Sequence, residues 1–314
     1  MIGSGAPWAP EGITSLNNKI SGVLAAVPTP FDSDFNPDLG LFMEQCEWVL
    51  AEGCDGLNVL GTTGEANSQS NRARAAIMRA VAGSSLRNYP LMVGTGTAAL
   101  ADTIELTRLA AELGFDAALL LPPYYYKSVS DDGLFSYFSA IMDAVASTDI
   151  GIYLYNFPQL TGLSFSPQLV ARLIDAYPAR MRGMKDSSAQ LDYTQQMAAS
   201  FGTVFDVFPG SEAPLPDAVK HGYAGCISAS VNATAALAAR VWKHREAVAD
   251  EDSAELRELR SIIQSVPMVA AVKSLLAART QNAAWRRILP PLMPLDGDNL
   301  EKISVLARRL GYQR

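Results

Sequence analysis

Eight short apolar runs recur along the chain, separated by helical patterns, and this alternation constrains the fold more than any other feature. The runs are Val23–Val27, Gly56–Leu60, Leu91–Thr95, Ala117–Leu121, Gly151–Tyr155, Met181–Lys185, Phe205–Phe208 and Gly225–Ala229. Each lacks clean polar alternation, as strands buried on both faces of a parallel sheet do. Between them, Leu39 to Ala51 sets Leu39, Met43, Cys46, Val49 and Leu50 near one helical face, and Ile104–Leu113 and Leu134–Val145 behave similarly. Several of these patterns end at glycine before the next strand, as in Ala51-Glu52-Gly53 and Glu112-Leu113-Gly114.

Eight strand–helix units with short connections predict an α/β fold of the (β/α)8 TIM-barrel type, which takes about 250 residues. From about Asp250 onward the 314-residue chain shows helical patterns only: Asp252–Gln264, Met268–Arg279 and Asp298–Leu310. A proline-bearing loop, Ile288–Gly297, joins the last two. The expected organisation is an irregular N-terminal extension over residues 1–19, a barrel over 20–249, and C-terminal helices over 250–314 packed on the barrel. A doubly wound open sheet would want a glycine-rich phosphate turn after its first strand, and Val27-Pro28-Thr29-Pro30 is not one.

Composition narrows the chemistry. Hydrophobic residues make up 49% of the chain, enough for a large core. No apolar run approaches the roughly 20 residues that span a bilayer, and Met1–Asn18 lacks the basic-then-apolar order of a signal peptide. A net charge of -7 argues against nucleic acid as a partner. The three cysteines, Cys46, Cys54 and Cys226, have no metal-type spacing and fit a reducing cytoplasm, with Cys226 read as a buried small hydrophobe. Only two histidines exist, His221 and His244, both in or beside helical patterns, which argues against a histidine-rich metal site and a Ser-His-Asp triad. Chemistry then falls to lysine, tyrosine, threonine, serine or acids.

Lys185 is the lysine that stands out. The other six read as ordinary: Lys19 in the N-terminal tail, Lys127 after a tyrosine-rich loop, and Lys220, Lys243, Lys273 and Lys302 in helical patterns. An amine at the carboxyl end of an interior strand is partly desolvated, which lowers its pKa and lets it attack a ketone to form a Schiff base. An ion pair with a neighbouring acid such as Asp186 is the plain alternative.

Barrel active sites lie at the carboxyl ends of the strands. Those ends read Gly61-Thr62-Thr63-Gly64-Glu65, Pro122-Pro123-Tyr124-Tyr125-Tyr126, Tyr155-Asn156-Phe157-Pro158, Lys185-Asp186-Ser187-Ser188, Pro209-Gly210-Ser211-Glu212 and Ser228-Ala229-Ser230. The first is a turn able to offer N–H groups and hydroxyls to a carboxylate, or a tight turn with threonine as a local cap. Tyr155 suits a proton shuttle, or an aromatic that closes the barrel top. The three consecutive tyrosines fit packing or a subunit contact. Glu65 and Asp186 are candidate acid–base groups, although carboxylates beside turns more often hold N–H groups.

Taken together these segments resemble the dihydrodipicolinate synthase and N-acetylneuraminate lyase family of pyruvate-dependent class I aldolases. The resemblance runs from about Gly22 to Gly311 on five linked motifs: Gly61-Thr62-Thr63-Gly64-Glu65, Pro123-Tyr124-Tyr125, Tyr155-Asn156-Phe157-Pro158, Gly183-Met184-Lys185-Asp186 and Gly225-Cys226-Ile227-Ser228. It implies a Schiff base between Lys185 and pyruvate or a related 2-oxo acid, with no cofactor beyond that imine and no metal. Thr62, Thr63 and the Gly61 turn would hold the pyruvate carboxylate, and Thr62 would pass a proton to Tyr155, the general acid–base. Tyr125 would complete the relay from a neighbouring subunit of a dimer of dimers. The Ile227 carbonyl would line the pyruvate pocket, and Gly210 would let the backbone approach the acceptor.

One position departs from the synthase pattern. Synthases of this family usually carry an arginine two places after the proline of Tyr-Asn-x-Pro, where it grips the carboxylate of aspartate semialdehyde. Here that place holds Leu160, which cannot make a bidentate bond to a carboxylate. The pattern is closer to the sialic-acid lyase branch, and Ser211 and Glu212 are candidates for the hydroxyls of a sugar-like tail, with the start of the following helix as the alternative role of Glu212. The expected function is therefore a cytoplasmic, homotetrameric lyase joining or splitting pyruvate and an uncharged aldehyde. A true 4-hydroxy-tetrahydrodipicolinate synthase, a dehydratase of 2-keto-3-deoxy sugar acids and a catalytically silent 2-oxo acid binder are the alternatives.

Overall fold

A computed structural model describes residues 19–312 of the chain. Eight parallel strands follow one another: β1 (Gly22–Ala26), β2 (Gly56–Val59), β3 (Leu91–Gly94), β4 (Ala117–Leu120), β5 (Gly151–Asn156), β6 (Met181–Asp186), β7 (Asp206–Pro209) and β8 (Gly225–Ser228). They lie in the order β7-β6-β5-β4-β3-β2-β1-β8. The sheet curls until its ends meet, and Ala224 N donates to Val207 O at 3.0 Å across the seam. Each expected strand falls within a residue or so of its apolar run, because buried β-structure and apolar continuity are the same signal.

The helices are α1 (Leu39–Ala51), α2 (Asn71–Ala82), α3 (Leu100–Glu112), α4 (Asp131–Ala144), α5 (Pro158–Thr161), α6 (Pro167–Ala176), α7 (Leu191–Phe201), α8 (Ala218–His221), α9 (Val231–Lys243), α10 (Asp250–Gln264), α11 (Met268–Thr280) and α12 (Gly297–Arg309). Local chemistry fixes several starts. The side chains of Asp38, Ser70, Ser130 and Ser166 accept a backbone N–H from the first turns of α1, α2, α4 and α6. No single helix among the described residues is long and apolar enough to cross a membrane. The expected N-terminal extension lies outside the described residues, apart from Lys19.

Apolar packing forms two shells. Outward-facing strand residues such as Val23, Leu57, Val93, Leu120 and Leu154 pack beneath the helices. Inward residues, among them Leu24, Met92, Leu119, Tyr153, Tyr155, Phe208 and Ile227, fill the barrel. The floor is polar at one point: Tyr153 Oη donates to Asp206 Oδ2 at 2.8 Å, and Lys19 Nζ lies 3.4 Å from Asp206 Oδ1.

A bulge in β6 sets the position on which the site depends. Ile152 pairs with Met181, but Tyr153 pairs with Gly183, so one extra residue lies opposite β5. Met181 and Met184 consequently both face the outer shell, although strict alternation would place them on opposite faces. Gly183 faces inward, where a Cβ would overlap the Tyr153 ring. Two residues further on, Lys185 faces inward too.

Candidate active site

Lys185 sits in register between Tyr155 of β5 and Phe208 of β7, near the carboxyl ends of their strands. It is 4% exposed, and its Nζ lies 4.5 Å from the centre of the Tyr155 ring. The aromatic face meets the amine where an acid might have stood. Among the described residues no carboxylate pairs with Lys185. Tyr155 Oη in turn lies 3.2 Å from Thr62 Oγ1 at the end of β2. An amine, a phenol and an alcohol thus form one contiguous polar group at the mouth of an otherwise apolar barrel.

The turn after β2 is held in an unusual shape. Leu60 and Glu65 both take left-handed backbone angles, with φ of 56° and 54°, which non-glycine residues adopt at a cost. Glu65 N donates to Thr62 O at 3.0 Å, and the Gly64 carbonyl accepts from Thr29 Oγ1 at 2.8 Å and Gln69 Nε2 at 2.7 Å. The N–H groups of Thr62 and Thr63 donate to no protein acceptor among the described residues. Such a turn can hold a small anion, and the Thr62 hydroxyl pairs with Tyr155 Oη, so it is no local cap.

The acids serve as braces. Asp186 accepts from Asn156 Nδ2 at 2.8 Å, Ser188 N and Ser188 Oγ at 3.0 Å, and Thr194 Oγ1 at 2.5 Å. It ties β5 to β6 and leaves Lys185 unpaired. Glu65 is buried against Lys273 Nζ at 2.6 Å and Leu289 N at 2.6 Å. Burial pushes the Glu65 carboxyl above its usual range, with Lys273 opposing that rise. Glu212 does not reach towards a substrate tail as expected. It is fully buried, accepting from Ser228 Oγ at 2.6 Å and Ser230 Oγ at 2.9 Å, with Arg260 of α10 at 3.5 Å.

The remaining expected residues are spread more widely. Ile227 belongs to the barrel interior. Ser211 is half-buried, and its Oγ accepts from Ala213 N at 3.2 Å. The room left by Gly210 is filled by Ser187, whose Oγ a Cβ there would overlap. Glycine at 210 therefore allows the turns after β6 and β7 to touch. Leu160 is 58% exposed, and Tyr125 is 73% exposed with its ring edge-on to Tyr126 at 5.2 Å. Within one chain Tyr125 joins no hydrogen bond to Thr62 or Tyr155.

Beside Thr62 and Tyr155 a narrow cleft lies over β2, β3 and β4, lined also by Gly61, Asn67, Gly94, Gly96, Leu119 and Leu121. None of its lining residues is basic. Gly94 is fixed from outside by Arg74, which donates to its carbonyl at 2.8 Å and whose pKa burial pulls down to about 10. Arg74, Asn67 and Arg260 carry no signal in the sequence, because each lies within an ordinary helical or polar stretch. Lys273, read as an ordinary helical lysine, is fully buried.

A family model described as the dihydrodipicolinate synthetase family matches residues 19–310. The chain belongs to that family. Its members are lyases that work through a Schiff base between pyruvate and an enzyme lysine, with no external cofactor. An uncharacterized DapA-like lyase of Chloroflexus aurantiacus is 31% identical over 302 residues, covering 93% of this chain and 96% of its own. A 4-hydroxy-tetrahydrodipicolinate synthase of Thermomicrobium roseum is 31% identical, covering 93% of this chain and 99% of its own. Among solved structures, YagE, a prophage protein of the family from E. coli K12 in complex with pyruvate, matches with a TM-score of 0.82 at 28% identity, covering 93% and 99% of the two chains. The dihydrodipicolinate synthase of Agrobacterium tumefaciens matches with a TM-score of 0.80 at 30% identity, covering 92% and 99%.

Proposed function

We propose that Lys185 forms an imine with pyruvate or a close 2-oxo acid, and that the enzyme makes or breaks a C–C bond between the former pyruvate methyl and an uncharged aldehyde. The observation that carries this reading is the chain of contacts from Lys185 to Tyr155 to Thr62. The amine attacks the ketone carbon, and loss of water leaves a protonated imine that draws electrons from the adjacent methyl. One methyl proton leaves to give an enamine, which adds to the aldehyde carbon; cleavage runs the same steps backward. Tyr155 gives and takes protons at the imine and the acceptor oxygen, and Thr62 hands them on. Thr63 and the free N–H groups of the turn receive the 2-oxo acid carboxylate. The Ile227 carbonyl lines the pyruvate end of the pocket in this reading.

Reading the enzyme as a 4-hydroxy-tetrahydrodipicolinate synthase draws on the Thermomicrobium relative. Leu160, exposed and without a cation to offer, weighs against an acceptor carrying its own carboxylate. Exposed Tyr125 and Tyr126 fit a subunit contact in a cytoplasmic homotetramer, with Tyr125 extending the partner's relay. Light scattering that finds a fully active monomer would overturn that assembly.

Borohydride added with pyruvate is expected to leave a three-carbon adduct on Lys185, found by mass spectrometry of a digest. Lys185→Ala is expected to abolish turnover while circular dichroism stays unchanged. An unlabelled wild type, or a normally active Lys185→Ala, sinks the mechanism. Efficient condensation with aspartate semialdehyde would defeat the preference for an uncharged acceptor.

A further inference from the structure

Glu65 and Lys273 stand 208 positions apart, are both fully buried, and meet at 2.6 Å. Burying two charges in one place costs solvation that a well-packed apolar pair would not. The pair is also more than a link between surfaces. Lys273 Nζ lies 4.5 Å from the Phe31 ring centre, and the second Glu65 oxygen accepts from Leu289 N. Three segments of the chain thus converge on one carboxylate.

That carboxylate belongs to the last residue of the Gly61–Glu65 turn. Glu65 holds a left-handed backbone at φ 54°, its N–H donates to Thr62 O at 3.0 Å, and its carbonyl accepts from Ser68 N at 3.0 Å. A side chain anchored on both oxygens fixes this strained residue, and the strained residue fixes Thr62. Lys273 itself is no candidate for imine formation, since it has no exposure and is paired with an acid.

We propose that Glu65 and Lys273 are positioning residues for the carboxylate receptor: Lys273, on α11, acts through Glu65 to keep the Thr62 and Thr63 N–H groups and hydroxyls aimed at the 2-oxo acid carboxylate. This rests on the reading above that the turn receives that carboxylate. The C-terminal helices then form part of the active site's framework.

The test compares two ketones in borohydride trapping on Lys185 of the full chain: pyruvate, and acetone, which lacks the carboxylate. Wild type is titrated first, and failure of pyruvate to label it would defeat the 2-oxo acid reading itself, whatever the variants do. The variants are Lys273→Met and the double change Glu65→Gln with Lys273→Met, which removes both charges and keeps the volume. If the single variant fails to fold, the double variant decides. In the folded double variant the pyruvate concentration for half-maximal labelling is expected to rise by about tenfold or more, with acetone labelling unchanged. Superimposable pyruvate curves for wild type and double variant would overturn the proposal. A parallel loss with both ketones would also overturn it, because general loosening of the fold predicts that pattern.

Discussion

At the scale of single residues, the proposed mechanism depends on what surrounds Lys185. Its amine meets an aromatic face and no acid, because Asp186 spends its oxygens on Asn156, Ser188 and Thr194. Among the described residues nothing ties this amine into an ion pair. The Tyr155 hydroxyl is the group that can move protons near it. Tyr155→Phe keeps the ring over the amine and removes the 3.2 Å link to Thr62. It is expected to lower kcat by about 10²–10⁴-fold, the usual worth of a positioned acid–base group. In the proposed mechanism the phenol also serves imine formation, so the pyruvate trapping rate should fall with it. Equal turnover for wild type and Tyr155→Phe in a steady-state assay would remove Tyr155 from the relay. Asn58, at the level beneath, faces another constraint: neither polar atom of its buried amide finds a protein partner, a cost that packing alone does not explain.

At the scale of elements, the strand-end turns brace one another. Gly210 N donates to Asp186 O at 2.6 Å, and Ser187 fills the space where a Gly210 side chain would stand. Gly210→Ala is therefore expected to destabilise the fold by about 1–3 kcal/mol, as overpacking does. Adding Ser187→Gly should recover much of that loss, since the two side chains compete for one space. Urea unfolding of the four species in a double-mutant cycle measures the coupling, and strictly additive effects would show that the contact is not what requires glycine. These braces were only half legible beforehand. The motifs Lys185-Asp186-Ser187-Ser188 and Pro209-Gly210-Ser211-Glu212 stood out as strand ends, but contact between β6 and β7 turns is a tertiary fact. Glu212 looked like a substrate ligand for the same reason. Its burial between Ser228, Ser230 and Arg260 depends on α10 folding back over β8.

At the scale of the whole molecule, closing the barrel buries charge at both ends. On the floor, burial raises the Asp206 carboxyl pKa above its ordinary 3.8, with Tyr153 and Lys19 opposing that rise. The native state then binds this proton more tightly than the unfolded chain does. Its stabilising contribution is complete below the ordinary value and is lost as pH rises through the raised one. Stability should fall across that interval, and Asp206→Asn should flatten the fall while keeping an acceptor for Tyr153. Unfolding free energies of both proteins between pH 4 and 7, an interval chosen to begin about at the ordinary aspartate value, check this. Parallel profiles would show that Asp206 does not titrate as its burial implies.

The chain's pattern alone marks the eight strands and helices such as α1, α3, α4, α10, α11 and α12, since apolar continuity and helical periodicity follow directly from which faces are buried. It also picks out Lys185 by its place at the end of an interior strand, while the role of Thr62 came with the linked motifs of the family resemblance. Only the folded molecule settles which way Lys185 points. Counted by strict alternation, Met181 and Lys185 would share a face. The bulge opposite Ile152–Tyr153 gives β6 one extra residue, leaving Met181 outside and bringing Lys185 inside. Pairing between two strands sets such a register, and no single strand's pattern records it. The burial of Lys273 against Glu65 has the same origin: two residues far apart in the chain meet only when the last helices dock on the barrel.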